Sequence, residues 1–367
     1  MKKTLIALAV AALASSAANA TVVYQQDGTK LDVDGRISMQ VRKETNKRTD
    51  LVDKGSRVRV RAYQEIGNGF SALANMEIRF TQNGTIGDGI HTKRLFGGFA
   101  HKDIGALTFG RQLTVGDDLG LSDFTYELGA ITKVVDAHNK AVHFKSADFG
   151  GFHFMADYYF GNSAKHSTRY TTTKDSLGNV TITAKSDNQE TADDGQGYGL
   201  GAFYKTKVGE FGFAVEGGYS EITRGDWRTG NGDGKAEYKT KGATVAGLVS
   251  YGPVALGLDW SHAKSTKDNV DNKFRVGAKA FNQVNQFEVG LKYQITQNNK
   301  VYAEYLWGTG KTKGTENGKF RGWFLGADHY FNKNVLVYVE GGSFKTKQAG
   351  VTLEKNKQIA LGTRILF

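Results

Sequence analysis

The chain has 367 residues with a formal net charge of +11, 47 glycines, one proline and no cysteine. The absence of cysteine excludes the class of small exported domains held together by disulfides, and the near absence of proline is typical of a chain that is mostly paired strand, because proline cannot donate to a strand ladder. The 48 lysines and arginines are spread along the chain, which argues against a nucleic-acid-binding patch.

The first twenty residues have the pattern of an export signal. Lys2 and Lys3 precede an apolar stretch at residues 5–18, and the stretch ends in the small-x-small sequence Ala18, Asn19, Ala20. It is too short for a stable membrane-spanning helix, and no later run of about eighteen apolar residues occurs, which excludes a helical membrane protein. We expect a signal peptide at residues 1–20 and a mature chain of residues 21–367; the alternative is an uncleaved N-terminal anchor.

Alternation of apolar and polar residues predicts the strands. In residues 29–42, for example, Leu31, Val33, Ile37, Met39 and Val41 share one face. The same count along the chain predicts sixteen strands, which begin near residues 29, 56, 69, 90, 104, 140, 151, 196, 210, 241, 253, 284, 299, 320, 335 and 356.

The predicted connections alternate in length. Seven are short turns, near residues 66–69, 102–105, 148–151, 207–210, 251–253, 297–300 and 331–334. Eight are long, near residues 43–55, 82–89, 112–139, 161–195, 222–240, 264–283, 308–319 and 345–356. An up-and-down barrel of sixteen strands needs this count if both of its termini lie on the side of the short turns.

The placement of charge decides between a soluble β-sandwich and a membrane barrel. The polar face carries Arg57, Arg59 and Arg61 in succession, and further charges follow on later strands. The apolar face ends in aromatic residues near the strand termini, which is the expected layout when that face meets lipid and the lumen is wet. Strands in hydrocarbon satisfy their backbone groups only by closure. The sequence therefore predicts an all-β fold, a 16-stranded antiparallel transmembrane β-barrel with short periplasmic turns and long extracellular loops; a soluble all-β protein is the alternative.

Motifs of enzymes, metal sites and cofactor sites are incomplete. Residues 308–312 resemble the end of a phosphate-binding loop, but Tyr305 stands where its first glycine belongs and no helix pattern follows. Residues 226–233 lack the twelfth-position glutamate of a calcium loop, and the eight histidines have no metal-ligand spacing. We expect no enzymatic activity, no cofactor, no metal and no nucleic-acid partner; a barrel enzyme or an adhesin is the alternative.

The third long connection, residues 112–139, differs from the others, which are rich in lysine, threonine, asparagine and glycine. It carries a single lysine, Lys133, and several apolar residues that need a surface to cover them. Its acids are Asp117, Asp118, Asp123, Glu127 and Asp136, and the arginines expected on the lumen wall are Arg36, Arg57, Arg59, Arg61 and Arg94. We expect the loop to fold inward and to form a narrow waist with acids on one side and arginines on the other. The alternative is an external loop above a plain lumen wall.

Three stretches resemble the general porins of Gram-negative outer membranes, which are trimers: residues 23–36, the sequence Phe109, Gly110, Arg111, Gln112, and residues 330–334 with Tyr338 and Val339. Within that family the chain is most similar to the branch called outer membrane protein H. The resemblance implies a multi-pass protein of the Gram-negative outer membrane, a water-filled channel through which small hydrophilic solutes and ions diffuse passively across a charged constriction. It also implies that three copies form a homotrimer, that outer-membrane lipid and lipopolysaccharide surround the protein, and that the barrel-assembly machinery inserts it.

The same resemblance suggests roles for individual residues. It places Arg36, Arg57 and Arg94 in the family's basic constriction cluster, and Asp123 and Glu127 among its acidic loop residues. The terminal Phe367 matches the C-terminal aromatic residue that is the family's assembly signal, and residues 82–89 match its trimer latch. The chain departs from the family at the loop tip, residues 126–130, where the family has Pro-Glu-Phe-Gly-Gly, and near residue 137, where the family has its last constriction arginine. A substrate-specific channel, with more strands and an aromatic path, is the alternative that the charged waist argues against.

Overall fold

The computed structural model describes residues 20–82, 84–161, 168–174, 178–186, 195–226, 236–266, 274–277, 279–312 and 317–367. The predicted signal peptide, apart from Ala20, lies outside these residues, so its cleavage stays a prediction. No helix in the described ranges is both long and apolar enough to cross a membrane.

The described residues contain 22 strands and one short 3-10 helix. Sixteen strands form the wall: β2 (Thr29–Glu44), β4 (Arg57–Gly67), β5 (Phe70–Gln82), β6 (Ile86–His101), β7 (Gly105–Leu113), β8 (Ala137–Ser146), β9 (Phe152–Tyr159), β12 (Gln196–Val208), β13 (Phe211–Asp226), β14 (Ala236–Tyr251), β15 (Val254–Ser265), β18 (Gln283–Thr296), β19 (Asn299–Lys311), β20 (Gly318–Asn332), β21 (Val335–Gln348) and β22 (Val351–Leu366). The others are short: β1 (Thr21–Gln26) and β3 (Asp50–Asp53) pair with β2, while β10 (Thr168–Lys174) with β11 (Val180–Ser186) and β16 (Phe274–Val276) with β17 (Lys279–Phe281) form two hairpins.

The wall closes because its first and last strands pair with each other. Residues 36–44 of β2 run antiparallel to residues 358–366 of β22. Past the end of β22, β1 continues along the same edge of β2, so that Thr21 lies opposite Val33. Gly35 and Phe367 exchange two backbone hydrogen bonds of 2.8 and 3.1 Å at this junction. The closed sheet leaves no open edge among these strands, as hydrocarbon requires, and the predicted sixteen-stranded antiparallel barrel is confirmed.

The two faces of the wall differ as predicted for a barrel in lipid. Leucines such as Leu95, Leu200 and Leu361 point outward and are 53–61% exposed. The carboxylates of Asp259 and Glu288, by contrast, are completely buried on the inner side. A soluble sandwich would bury the first set and expose the second, so that alternative is excluded.

The seven short turns lie where they were predicted. In the first, Asn68 and Gly69 both have positive φ (52° and 82°), which is the backbone of a tight hairpin whose twist matches that of its strands.

Several connections predicted to be long are shorter, because the strands extend beyond the apolar belt. Residues 345–356 reduce to a turn at Ala349 and Gly350, residues 82–89 to 83–85, and residues 308–319 to 312–317. In 222–240 only 227–235 separate the strands, and these lie outside the described residues. Polar residues do not end a strand in water as long as its backbone pairing continues, and here Lys345 still pairs with Lys355.

Candidate functional site

The third long connection folds against the inner face of the wall. We call residues 114–136 the inner loop; it begins with the 3-10 helix Val115–Asp118. Its two ends lie side by side, since Thr114 donates its backbone N–H to Asp136 at 3.0 Å and Gly116 donates to Val135 at 2.8 Å. The predicted inward fold is therefore observed, and the external-loop alternative is excluded.

The wall covers the apolar residues of the inner loop. Val115, Leu119 and Val134 are at most 3% exposed and form one cluster with Met155 of β9 and Phe203 of β12. Burial of these side chains stabilises the docked loop, because it removes apolar surface from the water of the lumen.

Carboxylates on the wall hold the inner loop by its backbone. Val115 donates its N–H to Asp157 at 2.8 Å, Leu121 donates to Asp259 at 3.0 Å, and Tyr126 donates to Glu340 at 2.6 Å. The full set, which we call the carboxylate ladder, comes from six different wall strands. Asp157, Glu216, Asp259, Glu304 and Glu340 accept backbone N–H groups of the loop, and Glu288 accepts the hydroxyl of Ser122. A buried donor that loses its acceptor is left unpaired at a cost of about 1–3 kcal/mol, so the ladder fixes the loop across much of the barrel.

Glycines on the wall let the inner loop lie directly on the strands. A methyl group at Gly242, Gly257 or Gly290 would lie 1.8, 2.2 or 1.9 Å from a backbone oxygen of the loop. These obstacles are backbone atoms, so no side-chain rotation relieves them. Glycine inside a strand often marks such a close approach of another backbone.

The side chain of Glu127 contacts the wall rather than the open lumen. It is 2% exposed, and its carboxylate lies 3.3 Å from the Lys54 ammonium and 3.1 Å from the side-chain amide of Gln358. Lys54 belongs to the short break between β3 and β4, two segments that pair with the same edge of β2. Arg42 of β2 lies 3.9 Å from the same carboxylate, so the partners of Glu127 are a lysine, an amide and an arginine that was not among the predicted site residues.

Two further acids of the inner loop also have partners. Asp118 lies 2.9 Å from the Lys145 ammonium. Asp123 accepts a hydrogen bond of 3.4 Å from the Thr125 hydroxyl. Burial raises the pKa of Asp123 to about 6, although hydrogen bonds from Thr125 and Ala130 oppose this rise.

Arg59 and Arg61, expected among the arginines that face the loop acids, contact acids of the wall. Both guanidinium groups lie 2.9 Å from Asp34 on β2, and Arg61 is also 3.6 Å from Asp32. The cause is the register of the two strands, since Arg59 stands directly opposite Asp34 and Arg61 directly opposite Asp32. These two arginines are nearly buried in the wall.

The other arginines form a group around one carboxylate. Arg94 and Arg79 lie 3.0 and 2.7 Å from Glu77, and Arg57 stands opposite both Arg79 and Arg36 in the strand register. Arg36 itself donates to the backbone oxygens of residues 55 and 54 at 3.1 and 3.4 Å. We call Arg36, Arg57, Arg79, Arg94 and Arg364 the arginine cluster, because their like charges lie close enough to repel one another.

Sequence reasoning left Arg79 and Arg364 out of the predicted site. Arg364 reaches the inner loop, with its guanidinium carbon 4.4 Å from the centre of the Tyr126 ring. The alternation of polar and apolar residues alone places both Arg79 and Arg364 on the lumen face. The pairing of Arg79 with Arg57 on the neighbouring strand would have added Arg79 to the predicted site. The contact of Arg364 depends on where the loop lies, which the sequence does not specify. In the described part of the chain, no group of three His, Cys, Asp or Glu residues is arranged to hold a metal ion.

Comparison with known proteins agrees with this geometry. Residues 7–349 match the family model of the Gram-negative porins. A major outer membrane protein of Pasteurella multocida is 38% identical over 386 aligned positions that cover 100% of both chains, and the protein of that name from strain Pm70 is 37% identical with the same coverage.

Solved structures share the fold. OmpT of Vibrio cholerae superposes with a TM-score of 0.67 at 15% identity, over 95% of this chain and 100% of its own. An anion-selective porin from Comamonas acidovorans gives 0.68 at 16% identity, over 92% and 100% of the two chains. The match in sequence over nearly the whole length bears out the resemblance noted above, so the chain belongs to the Gram-negative porins and forms an outer-membrane channel for passive diffusion.

Proposed function

We propose that the inner loop and the arginine cluster form the constriction of this channel, and that the constriction passes small hydrophilic solutes and favours anions. The observation that carries the proposal is an imbalance of charge. Two of the five guanidinium groups of the arginine cluster contact the carboxylate of Glu77, whereas Glu127 and Asp118 of the facing loop are each bound by cations of the wall, Glu127 by Lys54 and Arg42 and Asp118 by Lys145. Arg59 and Arg61, paired with wall acids, contribute less to the field in the channel than predicted.

The preference for anions should be modest. Two unit charges about 4 Å apart interact by about 1 kcal/mol in bulk water and by about 4 kcal/mol at an effective dielectric constant near 20. A permeating ion in a wet lumen lies between these limits, and salt shortens the range of the field further. The carboxylate ladder lies behind the inner loop, where its oxygens accept hydrogen bonds from the loop and do not line the passage.

The test is a planar bilayer measurement with the purified protein. We expect discrete conductance steps, and a zero-current potential across a tenfold KCl gradient whose sign indicates higher anion permeability. An absence of conductance steps would contradict the channel function itself, whereas a zero-current potential of the opposite sign would contradict only the proposed preference for anions. The proposal includes no catalytic role.

We further propose that three chains assemble in outer-membrane lipid after cleavage behind Ala20. A structure of Vibrio cholerae OmpT in its trimer form has the same fold, with a TM-score of 0.65. In this chain Ile90, on β6 close to the second connection, points outward and is 69% exposed, which suits a contact with another copy or with lipid. Light scattering of the detergent-extracted protein should give the mass of a trimer, and a monomer under mild conditions would contradict it.

We propose that Phe367 serves as the assembly signal. Its ring lies against Gly35 and its backbone completes the junction of the wall. The side chain is also 44% exposed on the outer surface, where a partner in assembly can reach it before the barrel enters lipid.

A further inference from the structure

The sixth long connection contains a hairpin, β16 with β17, that packs on the inner face of the wall. We call it the mouth hairpin. Its residues Val276 and Phe281 form one buried cluster with Leu306 of β19 and Phe320 of β20, and Phe344 of β21 packs against this cluster. Burial of these side chains removes apolar surface from the water of the lumen and so stabilises the docked hairpin.

The alternation of side chains along a strand shows that this contact lies inside the barrel. Leu306 lies two positions after Glu304 on β19, and Phe344 lies four positions after Glu340 on β21. Both therefore share the lumen face with these acids of the carboxylate ladder. The hairpin occupies part of the lumen, at the end of the barrel that carries the long connections.

Two glycines of the wall form a seat for the ring of Phe281. Gly310 of β19 and Gly318 of β20 stand opposite each other, on either side of the seventh long connection. A methyl group at Gly310 would lie 2.3 Å from the ring, and one at Gly318 would lie 2.7 Å from it. The ring thus fills the space that a side chain at either position would need, and Phe281 is 2% exposed.

Backbone hydrogen bonds fix the end of the hairpin. Asn282, which directly follows β17, donates its N–H to the carbonyl of Lys311 at 2.9 Å, and its own carbonyl accepts the N–H of Ser265 at 2.8 Å. Leu128 of the inner loop packs against the apolar cluster from the other side. The mouth hairpin therefore lies next to the inner loop, towards the long connections.

The open face of the mouth hairpin carries a cation. Phe274 and Val276 pack towards the wall, so Arg275 between them points to the opposite side, and it is exposed. Within the described part of the chain Arg275 forms no ion pair. Packed sheets lie about 10 Å apart, so the docked hairpin moves the boundary of the entrance inward by roughly that distance.

We propose that the mouth hairpin is a second filter of the channel, which narrows the entrance beside the constriction and favours small anions through Arg275. The inference goes beyond the constriction proposed above and rests on a channel whose long connections face outside. A fixed obstacle excludes solutes by size, and an unpaired guanidinium raises the concentration of anions around it. A mobile lid fits less well, because the glycine seat and the bonds of Asn282 hold the hairpin in one position.

The size limit is tested by the swelling of proteoliposomes in arabinose and in the trisaccharide raffinose. Two variants undock the hairpin independently: Phe281→Ala removes the ring, and Gly310→Val fills its seat. The matched controls are Phe154→Ala, which removes an exposed ring from the outer face of β9, and Gly217→Val, where a methyl group would have no neighbour nearer than 3.7 Å. Heat-dependent electrophoretic mobility verifies that each variant is folded.

We expect the ratio of the raffinose rate to the arabinose rate to rise at least threefold in both undocking variants and to stay constant in both controls. An unchanged ratio in either undocking variant, or an equal rise in the controls, would overturn the proposal. Amide hydrogen exchange at Phe124 and Thr125 of the inner loop should stay unchanged in Phe281→Ala. Faster exchange there would show that the hairpin only supports the inner loop, which would also overturn the second filter.

The role of Arg275 is tested by the zero-current potential of Arg275→Gln in a gradient of dilute KCl. The Debye length extends to about 30 Å at roughly 0.01 M salt, so a cation at the entrance then acts on ions in the passage. The control, Lys264→Gln, removes an exposed cation from the outer face of β15 at the same end of the barrel. We expect a shift toward cations in Arg275→Gln alone, and equal potentials in the two variants would overturn its role. The conductance steps and the sign of the potential in the original protein test the constriction separately, so failure of the hairpin variants leaves that proposal standing.

Discussion

Removing one acceptor of the carboxylate ladder should loosen the inner loop while leaving the barrel intact. Glu304 is the sharpest choice, because its carboxylate accepts backbone N–H groups from both Phe124 and Thr125, the latter at 2.8 Å. Leaving a buried donor without its partner costs about 1–3 kcal/mol, and channel water replaces part of what the change Glu304→Ala removes. We therefore expect the docked tip to lose about 3 kcal/mol for the two donors together.

A loss of this size corresponds to about a hundredfold, since about 1.4 kcal/mol is a factor of ten. Amide hydrogen exchange at Phe124 and Thr125 should accelerate by that factor, whereas amides paired between β18 and β19 should keep their protection. Single-channel records should show added current noise from a mobile tip. Glu210→Ala, in an exposed turn at the other end of the barrel, is the control and should change neither readout. Unchanged exchange at both amides in Glu304→Ala would refute the idea that the ladder holds the loop.

Three further predictions concern charge and assembly. Arg36→Ala with Arg57→Ala should shift the zero-current potential in a tenfold KCl gradient toward cations, and Asp123→Asn with Glu127→Gln should shift it the other way; shifts of the same sign would contradict the charged waist. Because the pKa of Asp123 is raised to about 6, acidification from pH 7.5 to 5 protonates it and removes a negative charge from the loop. Anion preference should therefore rise through that interval, and this part of the rise should vanish in Asp123→Asn. Phe367→Ser should lower the amount of assembled protein severalfold while surviving channels conduct normally; normal outer-membrane levels of this variant would exclude the assembly role.

The wall could be predicted because alternation reports directly which face a residue occupies. The predicted start at residue 210 compares with β13 at Phe211, and the start at 299 is that of β19. Alternation does not report register, however, so it could not show that Asp34 stands opposite Arg59 and removes that arginine from the predicted waist. Loop lengths were overestimated for a related reason, since polar composition does not reveal where backbone pairing stops.

For the inner loop, too, the sequence predicted the general placement but not the individual contacts. Its acids and apolar residues indicated an inward fold, but its partners are single acids on separate strands, such as Asp157 and Glu340, which nothing local in the sequence connects. The sequence does contain one sign of the docked loop, in Gly242, Gly257 and Gly290. Glycines inside strands often mark the close approach of another backbone, which here is that of the inner loop.

A closed sheet one layer thick resists stretching along its strands but flattens easily, in the way that a thin tube becomes oval under side pressure. The inner loop joins β9 at Asp157 to β21 at Glu340, and Glu127 connects its tip to Lys54 beside β2. The loop thus acts as a tie across the lumen, and the cross-section cannot become oval unless these contacts break. Lateral pressure from the membrane should consequently alter the passage in steps set by bond rupture, rather than in proportion to the pressure.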